Sequence, residues 1–198
     1  MGLAQEKPKL YKSEEYLELE RDSEIRHEYL DGEIFEMAGG NKRHNGISAN
    51  LVRLLGNQLL EQDCIVYGSD MRVRITSTGK YTYPDVVAVC GEEIFEDETE
   101  DTLLNPMLIV EVLSKSTEAY DRGVKFEYYQ TIESFREYVL VKQEPFRVEQ
   151  FVRKEKNVWT YFEFRQPVDV VKLNSIDCEL VLQDIYHKIQ QKFPKEVI

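Results

Sequence analysis

Cysteine is scarce in this chain of 198 residues: Cys64, Cys90 and Cys178 stand far apart, with no CxxC pair and no Cys/His cluster. That speaks against a zinc site of ordinary ligand spacing and for buried, reduced thiols rather than a disulfide framework. Long apolar runs are also missing, which excludes a membrane-spanning helix. The stretch from Met1 to Lys9 has no apolar core of a secretory signal, and Gly2 lacks the Ser or Thr expected of a myristoylation signal. The expectation is a cytoplasmic protein without a membrane partner. Positive charge is short, since 25 Lys and Arg against 37 Asp and Glu leave a net charge of −12. Broad, sequence-independent affinity for nucleic acid is therefore disfavoured, although a local basic surface remains open. No GxSxG, Cys/His pair or phosphate-cradling glycine loop stands out, so a metal-free hydrolase of small substrates finds little support.

A hydrophobic content of 42% with 31% charged residues is that of a globular chain. Its length suits one domain, residues 1–198, with residues 1–12 as a flexible tail. Ser13 is a candidate cap for a short helix through Leu19. Ile25 to Ala38 reads as a β-hairpin turning at Asp31-Gly32, and Lys42 to Gln62 as a helix capped by Asn41, with Ile47, Leu51, Leu54, Leu55 and Leu59 at helical spacing. Strands follow at Cys64–Tyr67, Met71–Thr76, Tyr83–Cys90 and Met107–Leu113, with Glu92 to Asp101 as a solvated acidic excursion. A second helix fits Ala119 to Ile132. Four more strands, Glu137–Val141, Arg147–Arg153, Val158–Phe164 and Val168–Leu173, precede a closing helix over Gln183 to Lys192. The pattern predicts a mixed α/β (α+β) domain.

Two apolar strands each carry one acid. Asp85 sits in Tyr83-Pro84-Asp85-Val86-Val87-Ala88-Val89, and Glu111 in Ile109-Val110-Glu111-Val112-Leu113. A carboxylate in a buried strand is costly unless a cation or hydrogen bonds compensate it, and two on neighbouring strands could share one Mg²⁺, which takes hard oxygen ligands and keeps several waters. The plainer alternative is that each acid ends a strand or pairs with a surface arginine. In the following helix Asp121 and Lys125 stand one turn apart, so Lys125 could reach such a site; an exposed Asp–Lys pair is the alternative. His44 lies on the helix face that packs on the sheet, where a histidine is either a packing residue or a ligand.

The ordered set Asp31-Gly32-Glu33, His44, Pro84-Asp85-Val86-Val87, Val110-Glu111-Val112-Leu113-Ser114-Lys115-Ser116-Thr117, Asp121…Lys125…Tyr129 and Glu137-Tyr138 resembles the Uma2 family, also called DUF820, of the PD-(D/E)xK nuclease superfamily. The resemblance implies a restriction-endonuclease-like core: a mixed central β-sheet flanked by α-helices, here with an N-terminal β-hairpin. It also implies a metal-dependent endonuclease that hydrolyses DNA phosphodiester bonds. Asp85, Glu111 and the backbone carbonyl of Val112 would hold Mg²⁺ or Mn²⁺. Leu113 occupies the place of the superfamily's lysine, which points to Lys125 as the catalytic cation, with Lys115 as the runner-up and His44 and Glu33 as further members of the pocket. DNA is the implied partner, and a homodimer is compatible with the reading; the charge distribution along the sequence makes Arg43, Arg53, Arg72, Arg74 and Lys115 the expected rim of the pocket. The displaced lysine and the acidity of the chain favour the alternative, a non-catalytic binding or assembly module on the same fold.

Overall fold

The computed structural model describes residues 9–189. In chain order the elements are α1 (Ser13–Asp22), β1 (His27–Leu30), β2 (Glu33–Glu36), α2 (Lys42–Gln58), β3 (Cys64–Gly68), β4 (Arg72–Ile75), β5 (Lys80–Thr82), β6 (Val86–Cys90), β7 (Thr102–Leu103) and β8 (Leu108–Leu113). Then come α3 (Glu118–Tyr120), a π-helical turn (Asp121–Lys125), α4 (Phe126–Tyr129), β9 (Glu137–Lys142), β10 (Arg147–Glu155), β11 (Val158–Phe164), β12 (Val170–Leu173), β13 (Cys178–Val181) and α5 (Leu182–Ile185). The core is a six-stranded mixed sheet, β11-β10-β9-β8-β6-β3, in which β8 runs parallel to β9 and antiparallel to β6. Its fold matches the expected mixed sheet flanked by helices.

The alternation of side chains divides that sheet into two apolar faces. Val86, Ala88, Leu108, Val110 and Val112 face Ile47, Leu51 and Leu55 of α2, together with the β12–β13 hairpin and α5. Each of those α2 residues is fully buried and contributes about 2 kcal/mol through removal of apolar surface from water. Asn41 caps α2 as the sequence suggests, its side chain accepting from the backbone N–H groups of Arg43 and His44. On the other face Val87, Val89, Ile109 and Leu113 pack on Phe126 and Tyr129 of the helical stretch and on Val73 and Ile75 of β4. Glu111 has the parity of Ile109 and Leu113, so its strand delivers it to this second face.

A second sheet, β2-β1-β5-β4-β7, was not expected from the sequence, nor were β5, β7 and β13 as separate strands. It starts from the expected hairpin, whose Asp31 and Gly32 both adopt positive φ, as a two-residue turn of this kind requires. Tyr16 of α1 stacks on Tyr29 and meets Tyr81 of this sheet at a tilt.

Several expectations are corrected. The described part of the supposed tail is tied down: Tyr11 N–H donates to the Gly32 carbonyl, and its own carbonyl accepts from Tyr29 Oη. Ser13 opens α1 rather than capping it, because Lys12 is the cap and its N–H donates to Glu15. Cys64 and Cys90 are not free thiols but form a disulfide; they are directly opposite on antiparallel β3 and β6, a juxtaposition created by strand pairing across 26 residues. Cys178 is buried and free, as expected.

The acidic excursion is solvent-facing at Glu92 and from Asp97 to Glu100, as expected, but it is also anchored. Arg21 binds Asp97 and Asp101, Arg72 binds Asp101, and Arg74 binds Glu96, while β7 adds to the second sheet beside β4. The same contacts remove Arg72 and Arg74 from the DNA rim, since Arg72 is buried against Thr102 and Tyr83 and Arg74 is spent on Glu96. The closing helix is shorter than expected, covering Leu182–Ile185, and residues 190–192 of that expectation lie outside the described residues.

Candidate active site

Asp85 immediately precedes β6, and the register Val86↔Val110, carried on by one residue, sets it opposite Glu111 on β8. Opposite residues of an antiparallel pair project to the same face, so the two acids are neighbours. Pro84 suits this place because it cannot donate to the ladder and stands just before the strand begins. Asp85 Oδ2 accepts from the backbone N–H of Val112 at 2.7 Å, which fixes the carboxylate at the seam between the strands. Its outer side meets His44 at the start of α2, with Nε2 3.1 Å from the same oxygen. His44 is thus a partner of a site acid rather than a plain packing residue.

Glu111 is buried, and its Oε1 receives Lys125 Nζ at 2.9 Å and the Tyr129 hydroxyl at 3.1 Å. Lys125 is buried as well; its ammonium also reaches Glu28 Oε1 at 3.0 Å and lies 3.9 Å from Asp121 Oδ1. The Asp–Lys pair seen in the sequence is therefore internal, and the π-helical turn that spans Asp121 to Lys125 carries both toward the sheet. Leu113, at the superfamily's lysine position, is apolar core. Lys115 lies exposed in the turn after β8, among the hydroxyls of Ser114, Ser116 and Thr117, which bond to one another.

The structure brings together Asp85, Glu111, Val112, His44 and Lys125. It does not bring in Glu33, whose place is taken by Glu28. On the antiparallel hairpin Glu28 pairs with Phe35, while Glu33 sits by the turn opposite Leu30. Sequence reasoning missed Glu28, which looks like a solvent-facing acid in a short alternating strand. The available signal was that it shares a strand face with Leu30.

Electrostatics mark the cluster as charge-strained. Burial pushes the Glu111 carboxyl well above the usual carboxylate range; the Lys125 charge opposes this and the nearby Asp121 and Asp85 reinforce it. Asp121 is raised for the same reason, with Lys125 and a hydrogen bond to Thr117 working against burial. Burial alone would lower Lys125, but Glu111, Tyr129, Glu28 and Asp121 outweigh it and hold the ammonium charged. The hydrogen bond to Asp85 raises His44 against the pull of burial, helped by the Asp85 and Asp121 charges and by the Val112 backbone.

The donor chemistry fits a hard divalent cation: two carboxylates on adjacent strand positions and a backbone carbonyl, all oxygen. Among the described residues no set of three His, Cys, Asp or Glu side chains converges to hold an ion by itself. Water would have to complete the coordination, which is the habit of Mg²⁺.

Residues 13–183 match the family model Uma2, described as "Putative restriction endonuclease". Among curated proteins, the Synechocystis sp. proteins slr1290 and sll1609, both named as uncharacterized, are similar. The first is 37% identical over 179 residues, covering 90% of this chain and 92% of the relative. The second is 36% identical over 155 residues, covering 78% and 88%. Among solved structures, the crystal structure titled as a putative nuclease belonging to DUF820 from Anabaena variabilis superposes with a TM-score of 0.74. It is 16% identical and covers 91% of this chain and 99% of the other, a likeness of fold.

Proposed function

The chain belongs to the Uma2 family, and from that premise we propose that it is a metal-dependent endonuclease hydrolysing DNA phosphodiester bonds. The observation that carries the reading is the pairing of Asp85 with Glu111 across two strands, with a buried lysine held between Glu111 and Glu28. The family's nuclease assignment supports the reaction class, and the oxygen-only donor set at Asp85 and Glu111 supports the cation.

In this reading Asp85, Glu111 and the Val112 carbonyl would hold Mg²⁺ or Mn²⁺. Such an ion would supply Lewis-acid chemistry there, lowering the pKa of a bound water and offsetting charge on the phosphate. The protein's own residues do the rest. The Val112 N–H and His44 orient Asp85, so the carboxylate is aimed before any ligand arrives. Lys125 opposes the rise that burial imposes on Glu111 and supplies positive charge where a phosphate oxygen would gain negative charge. Tyr129, bonded to Thr82 and to Glu111, fixes the rotamer of that acid. His44, Asp85 and Glu28 keep some exposure whereas Glu111 and Lys125 are buried, and substrate approaches from the His44 and Asp85 side. Of the anticipated rim, Arg53 and Lys115 stay exposed, and Arg43 is partly engaged by Glu144.

Cleavage of supercoiled plasmid with Mg²⁺ or Mn²⁺ tests this. Wild type should nick the plasmid. Asp85→Ala should lose activity altogether, Lys125→Ala should lose about 10²–10³-fold as for removal of an electrostatic stabiliser, and Lys115→Ala should stay near wild type. Circular dichroism must show the variants folded. Activity lost in Lys115→Ala but kept in folded Lys125→Ala would transfer the role to the loop lysine. No cleavage by wild type on single- or double-stranded DNA with either ion would favour the non-catalytic module.

A further inference from the structure

Four strands form the outer edges of the two larger sheets, and three of them are guarded. β2 carries Glu33 and Glu36 at its ends, β7 has two residues, and β3 is short, ends at Gly68 and is bonded to β6 through Cys64–Cys90. Charges, brevity and covalent ties of this kind keep an edge from pairing with another chain. The fourth, β11, is neither short nor covalently tied and carries a single charge, Glu163, near its end. It runs seven residues, Val158–Phe164, with β10 on one side only. From Val158 to Phe162 it holds no charge, no proline and no glycine.

Its side chains are exposed on both faces of the sheet. Val158 is 51%, Tyr161 49% and Phe162 42% exposed. Tyr161 shares a face with Trp159, and Phe162 shares the opposite face with Val158. A helix laid over one face would cover only half of them. A strand added alongside would cover both sets and satisfy the outward backbone groups.

We propose that β11 pairs with β11 of a second copy of this chain, antiparallel across a two-fold axis, joining two six-stranded sheets into one. The sequence of the strand is self-complementary in that arrangement. A two-fold perpendicular to the sheet pairs only residues of the same face, so the axis must pass through a residue pair rather than between two. With Thr160 at the axis, Val158 meets Phe162 of the second copy and Trp159 meets its Tyr161, each contact occurring twice. The polar ends also match, Asn157 falling opposite Glu163. An axis at Tyr161 instead sets Trp159 against Glu163, and an axis at Trp159 sets Lys156 against Phe162. Cross-strand aromatic and aromatic–aliphatic pairs are the stabilising units of a sheet, so Thr160 is the centre this strand selects.

Sedimentation velocity across a concentration series tests the pairing without reference to catalysis, so its failure and failure of the nuclease reading are separate results. Wild type should approach twice the 23.3 kDa chain mass. Phe162→Lys should raise the dissociation constant roughly a hundredfold or more, since the two-fold brings in each substitution twice, with the circular dichroism of the folded chain unchanged. Should Phe162→Lys fail to fold, Thr160→Cys reads the same geometry. Under mild oxidation it should form a covalent dimer, whereas Val158→Cys, set four residues away from its own copy, should not. A wild type that is monomeric throughout, a dimer indifferent to folded Phe162→Lys, or cross-linking through Val158→Cys instead of Thr160→Cys would overturn the proposal.

Discussion

Two acidic regions of this molecule use cations differently. In the segment that leads through β7, Glu96, Asp97 and Asp101 are met by Arg21, Arg72 and Arg74, a guanidinium for each carboxylate. In the cluster at the ends of β6 and β8, Glu28, Glu111 and Asp121 surround Lys125, with Asp85 beside Glu111 and paired to His44 on the outer side. At these three carboxylates the first region is balanced, and the pairing anchors a loop. The second is left with excess negative charge in a mostly buried place, a state that costs folding free energy unless another cation joins. Both would look alike in a composition plot, and only the pairing geometry separates anchoring from chemistry.

The largest test of this contrast is removal of the cation from each region. Lys125→Met should destabilise the protein by about 3–5 kcal/mol, because Glu111 and its neighbours become buried acids without a counter-charge. Arg74→Met should cost only about 1–2 kcal/mol, since Arg74 and Glu96 are nearer solvent and the other two arginines stay in place. Denaturant unfolding monitored by circular dichroism measures both. Adding Glu111→Gln to Lys125→Met should recover part of the loss. Equal costs at the two sites would mean that the site is no more charge-strained than the loop.

A smaller effect separates the regions by pH. Burial would raise Asp101, but hydrogen bonds from Arg21 and Thr102 and the charge of Arg72 hold it below the usual carboxylate range. Asp97 is lowered by its hydrogen bonds with Arg21 and with the Thr99 backbone. Depressed acids stabilise the fold above their unfolded values of about 3.9, and that contribution is lost as pH falls through the depressed native values. Glu111 and Asp121 are raised, so the sign is opposite: their ionisation opposes folding as pH rises above about 4, and acid relieves it. Carboxyl NMR titration should show Asp121 and Glu111 taking up protons first on acidification and Asp97 and Asp101 last. Below the depressed range, amide protection of Ile94 and Leu104 in the loop should fall.

What the sequence disclosed follows the range of the interactions. Asp85 and Glu111 were legible because each interrupts an apolar strand, and Lys125 because helical spacing ties it to Asp121 while Leu113 empties the usual place. Glu28 was not, since its role arises from a hairpin folding over a helix distant in the chain, and nothing local marks it. The disulfide was misread for the same reason: Cys64 and Cys90 become neighbours only when β3 chooses β6. Arg72 and Arg74 alternate with Val73 and Ile75, which suggests a solvent face; the acidic loop and the second sheet cover it. Among the described residues no helix is long and apolar enough to cross a membrane, in line with the reading of the apolar runs.

The central claim is that the uncompensated cluster, and not the balanced one, takes a divalent cation. Calorimetric titration of Mn²⁺ into the folded protein measures this without a nucleic-acid substrate. The account predicts one binding event in wild type, retained in Asp97→Asn and lost in Asp85→Ala and Glu111→Gln, with Lys125→Ala binding still if it folds. Binding that survives both site substitutions, or that disappears in Asp97→Asn, would contradict it.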